Sequence, residues 1–249
     1  MKEAILSTEG VGKQFGKFVA LNDVSVTFER GKLAAIIGPN GAGKSTYFNV
    51  LSGAYPPTRG RLFYQGQDIT GLPQHRFARI GIAKSFQITN IFPKLSAFEN
   101  VRVAVQARHT LYELWRPRAS YAGINDRARE LLAMVGLERM DDRAAEDASH
   151  GEQRALEIAM ALASEPNLLL LDEPTAGMSP EETQTMMRLI VKLGETRTVI
   201  LVEHKMKLVM GICERIVVLH HGELLADGTP AEVQANADVK RVYLGQEKG

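Results

Sequence analysis

The chain has 249 residues and carries 30 lysines and arginines against 29 aspartates and glutamates, which gives a formal net charge of +1 at pH 7. A charge this close to zero argues against a protein that binds nucleic acid or anionic lipid through overall positive charge. Hydrophobic residues make up 45% of the sequence, as in a globular protein of one domain with or without an insertion. The one cysteine, Cys213, excludes an intrachain disulfide framework and favours a reducing compartment.

The apolar runs are too short for a membrane-spanning helix, which needs about 20 mainly apolar residues. Runs such as residues 168–171 and 216–219 fall far below that length. The first ten residues mix charged and polar side chains where a signal peptide would need an apolar core of about 7 to 15 residues. We therefore expect a chain that neither crosses a bilayer by itself nor is exported.

Strands dominate the first part of the chain. Val24, Val26 and Phe28 alternate with polar residues and are followed by a turn at residues 30–32, which predicts a strand and its end. Residues 33–37 form a continuous apolar run, typical of a strand buried on both faces. A helix is predicted over residues 45–52, and we expect it to end before Gly53.

Helical periodicity replaces the strand pattern from about residue 90 to 165. Apolar residues recur at intervals of three and four within residues 126–140 and again within 152–166, where Pro166 ends the pattern. Strand-like runs return at residues 167–171, 198–202 and 216–219, and Gly222 is expected to turn a final hairpin. Strands that alternate with helices predict an α/β fold with a mainly parallel sheet. The helical middle part is predicted to be an inserted subdomain.

A phosphate-binding loop follows the first buried strand. Residues 38–45 match the pattern G-x-x-x-x-G-K-[ST] and lie between a predicted strand and a predicted helix, which is the context that the motif needs. Gly41 and Gly43 let backbone N–H groups turn inward around phosphate oxygens, and the helix adds the positive end of its dipole. Lys44 is positioned to reach the β- and γ-phosphates, and the Ser45 hydroxyl to ligate Mg²⁺. A dinucleotide fingerprint is excluded because Thr46 stands at its third glycine position.

Two adjacent carboxylates end the apolar run at residues 168–171. Neighbouring side chains of a strand point to opposite faces, so Asp172 and Glu173 are expected to have different roles. Asp172 is predicted to interact with Mg²⁺ indirectly, through another ligand of the ion or through water. Glu173 is predicted to be the base that polarises water for attack on the γ-phosphorus.

A third motif lies between the phosphate loop and the acidic strand end. Residues 148–154 read ASHGEQR, stand directly before a predicted helix and precede Asp172 by about 20 residues. Ser149 and Gly151 thus fall at a helix N-terminus, where a hydroxyl and free backbone N–H groups bind phosphate. The segment resembles the LSGGQ signature of ATP-binding cassette (ABC) proteins. With the other motifs in family order, the resemblance covers almost the whole chain.

The resemblance implies roles for further residues. Gln87 takes the place of the Q-loop glutamine, His204 that of the switch histidine, and Phe15 that of the aromatic residue that stacks on adenine. Residues 175–179 take the place of the D-loop. A neutral imidazole at position 204 would orient water and stabilise charge on the transferring phosphoryl group.

ATP and Mg²⁺ are the implied cofactors, and two subunits are implied to enclose two ATP molecules between them. Metal binding is implied for Ser45, Gln87 and Asp172, and catalytic roles for Lys44, Gln87, Glu173 and His204. The residues implied to contact nucleotide are Phe15, Gly38, Pro39, Asn40, Gly41, Ala42, Gly43, Lys44, Ser45, Thr46, Ser149, Gly151 and Glu152.

The implied fold is a P-loop NTPase cassette with a RecA-like, mainly parallel core sheet. We expect that core, with an N-terminal antiparallel β-subdomain, in residues 1–88 and 165–232. The inserted α-helical subdomain with the signature motif is expected over 89–164, and a C-terminal tail over 233–249. Ala148, His150 and Glu152 depart from the general signature, and Ser179 stands where the D-loop usually has aspartate.

Four stretches are similar to the ATPase subunits of importers for branched-chain amino acids and related solutes. They are HRFARIGIAKSFQ, LLLLDEPTAGMSPEE, VEHKMKLVMGICERI and GTPAEV. The resemblance implies a second ATPase subunit, identical or paralogous, transmembrane permease subunits and, indirectly, a solute-binding protein outside the membrane. It places the chain peripherally on the cytoplasmic face of the inner membrane, without nucleic acid. The segment 88–99, with Phe92 and Phe98, is predicted to border the groove for a membrane subunit.

Three alternatives stay open from the sequence. The ending VKRVYLG also resembles the ATPase of lipopolysaccharide export. A non-transport cassette ATPase would usually carry two cassettes or a long coiled coil, and neither is found. A regulatory cassette without hydrolysis is disfavoured because Lys44, Asp172, Glu173 and His204 are all in place.

Overall fold

The computed structural model describes residues 3–85, 91–109 and 122–244. Within these ranges, none of the helices combines the length and the apolar character that a membrane span requires. The strands are, in chain order, β1 Ala4–Phe15, β2 Phe18–Glu29, β3 Leu33–Ile37, β4 Arg59–Tyr64, β5 Gln67–Asp68, β6 Ile82–Lys84, β7 Leu168–Asp172, β8 Thr198–Val202, β9 Arg215–His220 and β10 Glu223–Gly228. The helices are α1 Lys44–Leu51, α2 Gln74–Ile80, α3 Ala97–His109, α4 Ala122–Met134, α5 His150–Leu162, α6 Pro180–Gly194, α7 Met206–Ile212, α8 Pro230–Ala235 and α9 Ala237–Leu244.

A six-stranded sheet forms the centre of the molecule, in the order β10-β9-β3-β8-β7-β6. Its strands pair in parallel from β9 to β6, and β10 adds an antiparallel edge. Every residue of β3, β7 and β8 is buried. Since the carboxyl ends of parallel strands lie at one edge of a sheet, the segments that follow β3, β7 and β8 meet there, and this edge carries the candidate site.

The two faces of this sheet pack against different layers. In β3, Ala34 and Ile36 face a core shared with the antiparallel sheet and helix α1, whereas Leu33, Ala35 and Ile37 face a core shared with helices α3 to α6. The antiparallel sheet has the order β2-β1-β4-β5. The alternation of strand side chains therefore holds the phosphate-loop strand between two apolar layers.

The architecture confirms the expected α/β fold. The predicted strands at residues 33–37, 167–171, 198–202 and 216–219 all form, the helix after the phosphate loop begins at Lys44, and β9 and β10 form the final hairpin around Gly222. The sequence did not predict β6 or α2, because a strand of three residues and a helix of seven leave too short a pattern. The exact subdomain boundaries remain a prediction.

Candidate functional site

The phosphate loop depends on glycine at two close approaches. Gly43 is the N-cap of α1 with φ +95°, and a Cβ there would lie 2.8 Å from the carbonyl oxygen of Ala20. A Cβ on Gly38 would lie 2.3 Å from the carbonyl oxygen of Leu219. Glycine therefore allows the loop to pack closely against two neighbouring backbone segments.

A cavity of about 340 Å³ opens over this loop. Lys44 lies on its floor, only 5% exposed, and its Nζ donates to the carbonyl oxygens of Gly38 at 2.7 Å and Pro39 at 2.9 Å. Burial lowers the pKa of Lys44, and the nearby charge of Glu173 opposes that effect. The cavity lining consists of Phe18, Ala20, Asn40, Gly41, Ala42, Gly43, Lys44, Ser45, Thr46, Glu173 and His204.

Glu173 and His204 face the phosphate loop as a hydrogen-bonded pair. His204 Nε2 lies 2.5 Å from Glu173 Oε1. Glu173 has φ +46°, and its N–H donates to the Val202 carbonyl at 3.0 Å. Strand β7 ends one residue earlier, so the left-handed turn at Glu173, and not strand alternation as predicted, separates this carboxylate from that of Asp172.

Asp172 fits a metal-binding role. It is 3% exposed, and its Oδ1 is buried without a hydrogen-bond partner among the described residues. Burial raises the pKa of Asp172, while the charge of Lys84 acts in the opposite direction. A buried carboxylate oxygen that lacks a partner is costly unless it binds a cation. No group of three His, Cys, Asp or Glu forms a metal cage among the described residues, and Gln87, the third predicted metal ligand, lies outside them.

The signature segment begins helix α5 as predicted. Ser149 is its N-cap, and Ser149 and Glu152 form a capping box. The Glu152 carboxylate accepts from the Ser149 N–H at 2.8 Å and pairs with Arg143 at 3.4 Å, so it serves its own helix. Ser149 and Gly151 do not line the cavity of the phosphate loop in the described part of the chain.

The role predicted for Phe15, stacking on adenine, stays a prediction, and the structure shows where Phe15 and its neighbour Phe18 lie. Phe15 ends β1 and pairs with Phe18 across the turn to β2, and its ring meets the edge of Tyr55 with centroids 5.5 Å apart. Phe18, not Phe15, lines the cavity and is 66% exposed. The hairpin turn at Gly16 places both aromatic residues at the same end of the sheet. Two aromatic residues on either side of a predicted turn could therefore have indicated both as candidates for contact with the nucleotide.

A buried carboxylate that the sequence analysis missed connects the D-loop to the histidine. Glu203, 3% exposed, accepts from the Thr175 hydroxyl at 2.6 Å and from the Thr175 N–H at 3.2 Å. Its other oxygen accepts from the His204 N–H at 3.2 Å. Its position directly after an apolar strand was the sequence signal by which this residue could have been found. Glu203 thus holds the segments after β7 and β8 together.

The family model described as "ABC transporter" matches residues 21–176. A second model, "Branched-chain amino acid ATP-binding cassette transporter", matches residues 223–249. The chain is 41% identical to the high-affinity branched-chain amino acid transport ATP-binding protein BraF of Pseudomonas aeruginosa, covering 99% of this chain and 100% of that protein. It is 40% identical to LivG of Escherichia coli, with the same coverage, and 36% identical to the E. coli lipopolysaccharide export ATP-binding protein LptB, covering 98% of each.

Solved structures agree with these sequence relationships. An ATP-binding cassette of an ABC transporter in its ADP conformation superposes with a TM-score of 0.87 at 28% identity, covering 97% of this chain and 99% of that one. A dimeric cassette in a post-hydrolysis state, bound to ADP and Pi, gives 0.77 at 29% identity, covering 91% and 99%. Sequence, fold and phosphate-loop geometry agree, and the chain belongs to the ABC transporter family as an ATP-binding cassette.

Proposed function

We propose that this chain is the ATP-hydrolysing subunit that energises a membrane importer of branched-chain amino acids or related solutes. The observation that carries the hydrolytic part is the 2.5 Å contact between Glu173 and His204 at the cavity of the phosphate loop. A carboxylate held by an imidazole beside a phosphate cradle is placed to orient and polarise a water molecule.

The position of each residue around the cavity determines its proposed role in ATP hydrolysis. The glycines of the loop present backbone N–H groups to the phosphates, and Lys44 exchanges its contacts with the Gly38 and Pro39 carbonyls for phosphate oxygens. Glu173 accepts a proton from the attacking water, and His204 orients that carboxylate and the γ-phosphate. When bound, Mg²⁺ would neutralise charge on the β- and γ-phosphates, and Ser45 and Asp172 are the described residues that would hold it.

Two cassettes are needed for a complete site. Ser149 and Gly151 lie outside the cavity of their own phosphate loop, which supports their binding the γ-phosphate of ATP on a second subunit. The dimeric arrangement of a related cassette supports the same assembly. The second subunit is either another copy of this chain or a paralogue.

The match of residues 223–249 to the branched-chain amino acid model favours that transport class over lipopolysaccharide export. The 40–41% identical relatives carry the same description in their names, against 36% for the export ATPase. Under this proposal the chain binds peripherally to permease subunits at the cytoplasmic face of the inner membrane. A solute-binding protein delivers the solute from the other side.

A cavity of about 460 Å³ is lined in part by residues of the segment predicted to border the groove for a permease helix, which supports that prediction. Phe98 lines this cavity, and the Arg129 guanidinium lies 4.9 Å from the Phe98 ring centroid. Phe92 is 50% exposed, and residues 88–90 of the predicted segment lie outside the described ranges. One aromatic residue in the cavity lining and a second, exposed one in the same predicted segment support docking of an amphipathic helix.

The transport claim is tested by reconstituting the chain with its permease subunits in vesicles and measuring ATP-driven uptake of leucine, isoleucine and valine. We expect uptake with the wild-type chain and none with Glu173→Gln. ATP hydrolysis without uptake of any of the three amino acids would contradict the transport class while leaving the ATPase assignment in place.

A further inference from the structure

One carboxylate joins the start of the signature helix to the end of the D-loop. Glu182 is the third residue of α6, and its Oε2 accepts from the Ser179 N–H at 3.0 Å within the capping box of that helix. Its Oε1 accepts from the Ser149 hydroxyl at 2.8 Å and from the Gly151 N–H at 3.2 Å. Glu182 therefore binds the same two donors that the proposed function assigns to a γ-phosphate.

The groups that hold the Glu182 carboxylate are of the kind that bind anions. The hydrogen bonds from Ser179, Ser149 and Gly151 lower the pKa of Glu182, so the side chain is ionised at neutral pH. The approach is close, since a Cβ on Gly151 would lie 3.0 Å from Glu182 Oε1. A hydroxyl and a backbone N–H that converge on one oxygen at a helix N-terminus are the groups by which proteins hold phosphate.

Capping alone does not require this arrangement. The capping box of α8 also combines a hydroxyl-bearing N-cap residue with a glutamate, and there the Glu232 carboxylate accepts from the N–H of Thr229 at 2.7 Å and from its hydroxyl at 2.9 Å. The Glu152 carboxylate likewise caps its own helix. Of these three boxes in the described chain, the box of α6 is the one whose carboxylate also reaches the first turn of a neighbouring helix.

We propose that Glu182 is a built-in substitute for the γ-phosphate, which occupies the signature motif until ATP on the partner subunit displaces it. The proposal rests on the proposed function, because it takes Ser149 and Gly151 as γ-phosphate donors. Since ADP lacks the γ-phosphate, ADP leaves the contact in place, and closure of the dimer becomes selective for ATP.

The same carboxylate links closure of the dimer to a change at the D-loop. While Glu182 bridges Ser149 and Ser179, the signature helix and the end of the D-loop are held together. Displacement by a phosphate releases one end of that bridge and leaves the capping bond to Ser179 intact. Glu182 is thus a positioning residue that restrains the open form.

The contact itself is tested by hydrogen–deuterium exchange of the nucleotide-free chain. Glu182→Ala is expected to speed amide exchange in the first turn of α5, including Gly151, as well as in α6. The matched control, Glu232→Ala, removes the equivalent carboxylate of α8 and is expected to affect α8 alone. Unchanged exchange in α5 for Glu182→Ala would overturn the proposal.

Displacement is tested by ATP-dependent dimer closure in the Glu173→Gln background, followed by analytical ultracentrifugation, with a co-expressed second cassette present if the natural dimer is heteromeric. Glu182→Gln keeps a capping side chain but removes the charge that competes with the phosphate. It is expected to lower the MgATP concentration for half-maximal closure about two- to fivefold at each site, without changing the affinity for ADP. Glu232→Gln is expected to leave both values unchanged.

The outcomes separate the two proposals. Equal MgATP dependence in the Glu182→Gln and Glu232→Gln chains, or a parallel change in ADP affinity, would overturn the role of Glu182 while leaving the ATPase assignment intact. The absence of closure in every background would contradict the proposed function itself, and with it the displacement step.

Discussion

Residues at the site adopt conformations and environments that cost stability. Glu173 has a left-handed backbone at φ +46°, which costs of order 1–3 kcal/mol for a residue other than glycine. Asp172 is buried with an oxygen that lacks a hydrogen-bond partner in the described structure. Asp172 is the last residue of a strand whose every residue is buried, and Glu173 follows it directly, so the core holds both in place. Strained or unpaired residues of this kind persist in proteins where a ligand or a reaction depends on them.

The sequence identified these residues by type but not by geometry. The motifs named Lys44, Asp172 and Glu173 by residue type and spacing, and the resemblance to a known family named His204. Glu203 and Glu182 escaped because a single carboxylate beside a strand or in a helical first turn has no distinctive local pattern. Their roles arise from partners on other elements, Thr175 and Ser149, which only the folded chain brings near.

The buried carboxylate of Glu203 is predicted to affect both the stability of the chain and its ATP turnover. In Glu203→Gln, an amide NH₂ would have to face one of the N–H donors of Thr175 or His204. We expect a loss of about 1–3 kcal/mol in the free energy of unfolding, measured by urea denaturation, together with lower ATP turnover.

The control for that measurement is Glu223→Gln. Glu223 accepts from Asn22 at an exposed position, and its substitution should stay within about 0.5 kcal/mol of wild type. A Glu203→Gln protein as stable and as active as this control would contradict the role given to the buried network.

At the scale of elements, the β9–β10 hairpin is joined by a two-point ion pair. Arg215 donates to both carboxylate oxygens of Asp227, at 2.7 and 2.5 Å, and these bonds raise the pKa of Arg215. Both side chains are partly buried, at 25% and 20% exposed. The hairpin forms one edge of the sheet that carries the phosphate loop.

We expect Asp227→Asn to destabilise the fold by about 1–3 kcal/mol, because a charge-assisted, two-point pair is lost at a partly buried position. The matched control is Asp238→Asn, which removes an exposed pair with Arg241, at 57% and 80% exposed, and should change stability by less than about 0.5 kcal/mol. Equal effects in thermal unfolding would show that burial does not set the strength of the Arg215 pair.

Elements also differ in how well the sequence predicts them. The strands at the centre of the sheet were placed almost to the residue, since continuous apolar runs between turns are typical of parallel strands. The short β6 and the helix α2 were missed. They are stabilised by neighbours, as when β6 pairs with β7 from Ile82 to Lys84, and such tertiary pairing leaves no periodic signal in three residues.

For the whole molecule, ligand binding is predicted to add to stability by linkage. A saturating ligand that binds only the folded chain, at about 100 times its Kd, raises the free energy of unfolding by about 2.7 kcal/mol. We expect MgATP to do this for the wild-type chain and to do it far less for Lys44→Ala, because that substitution removes the buried cation of the phosphate loop.

Lys240→Ala, a change at an exposed lysine of α9, should retain the full nucleotide effect. If Lys44→Ala were stabilised by MgATP as much as this control, the phosphate loop would not be the nucleotide site.

The assignment as a hydrolytic cassette is tested most directly by steady-state ATP turnover of Glu173→Gln beside Glu195→Gln, an exposed carboxylate changed in the same way. Removing a general base is expected to lower turnover by about 10²- to 10⁴-fold, while the affinity for MgATP stays near the wild-type value because Lys44 and the loop are intact. Turnover by Glu173→Gln equal to that of Glu195→Gln would contradict the assignment of Glu173, and with it the hydrolytic mechanism built on its contact with His204.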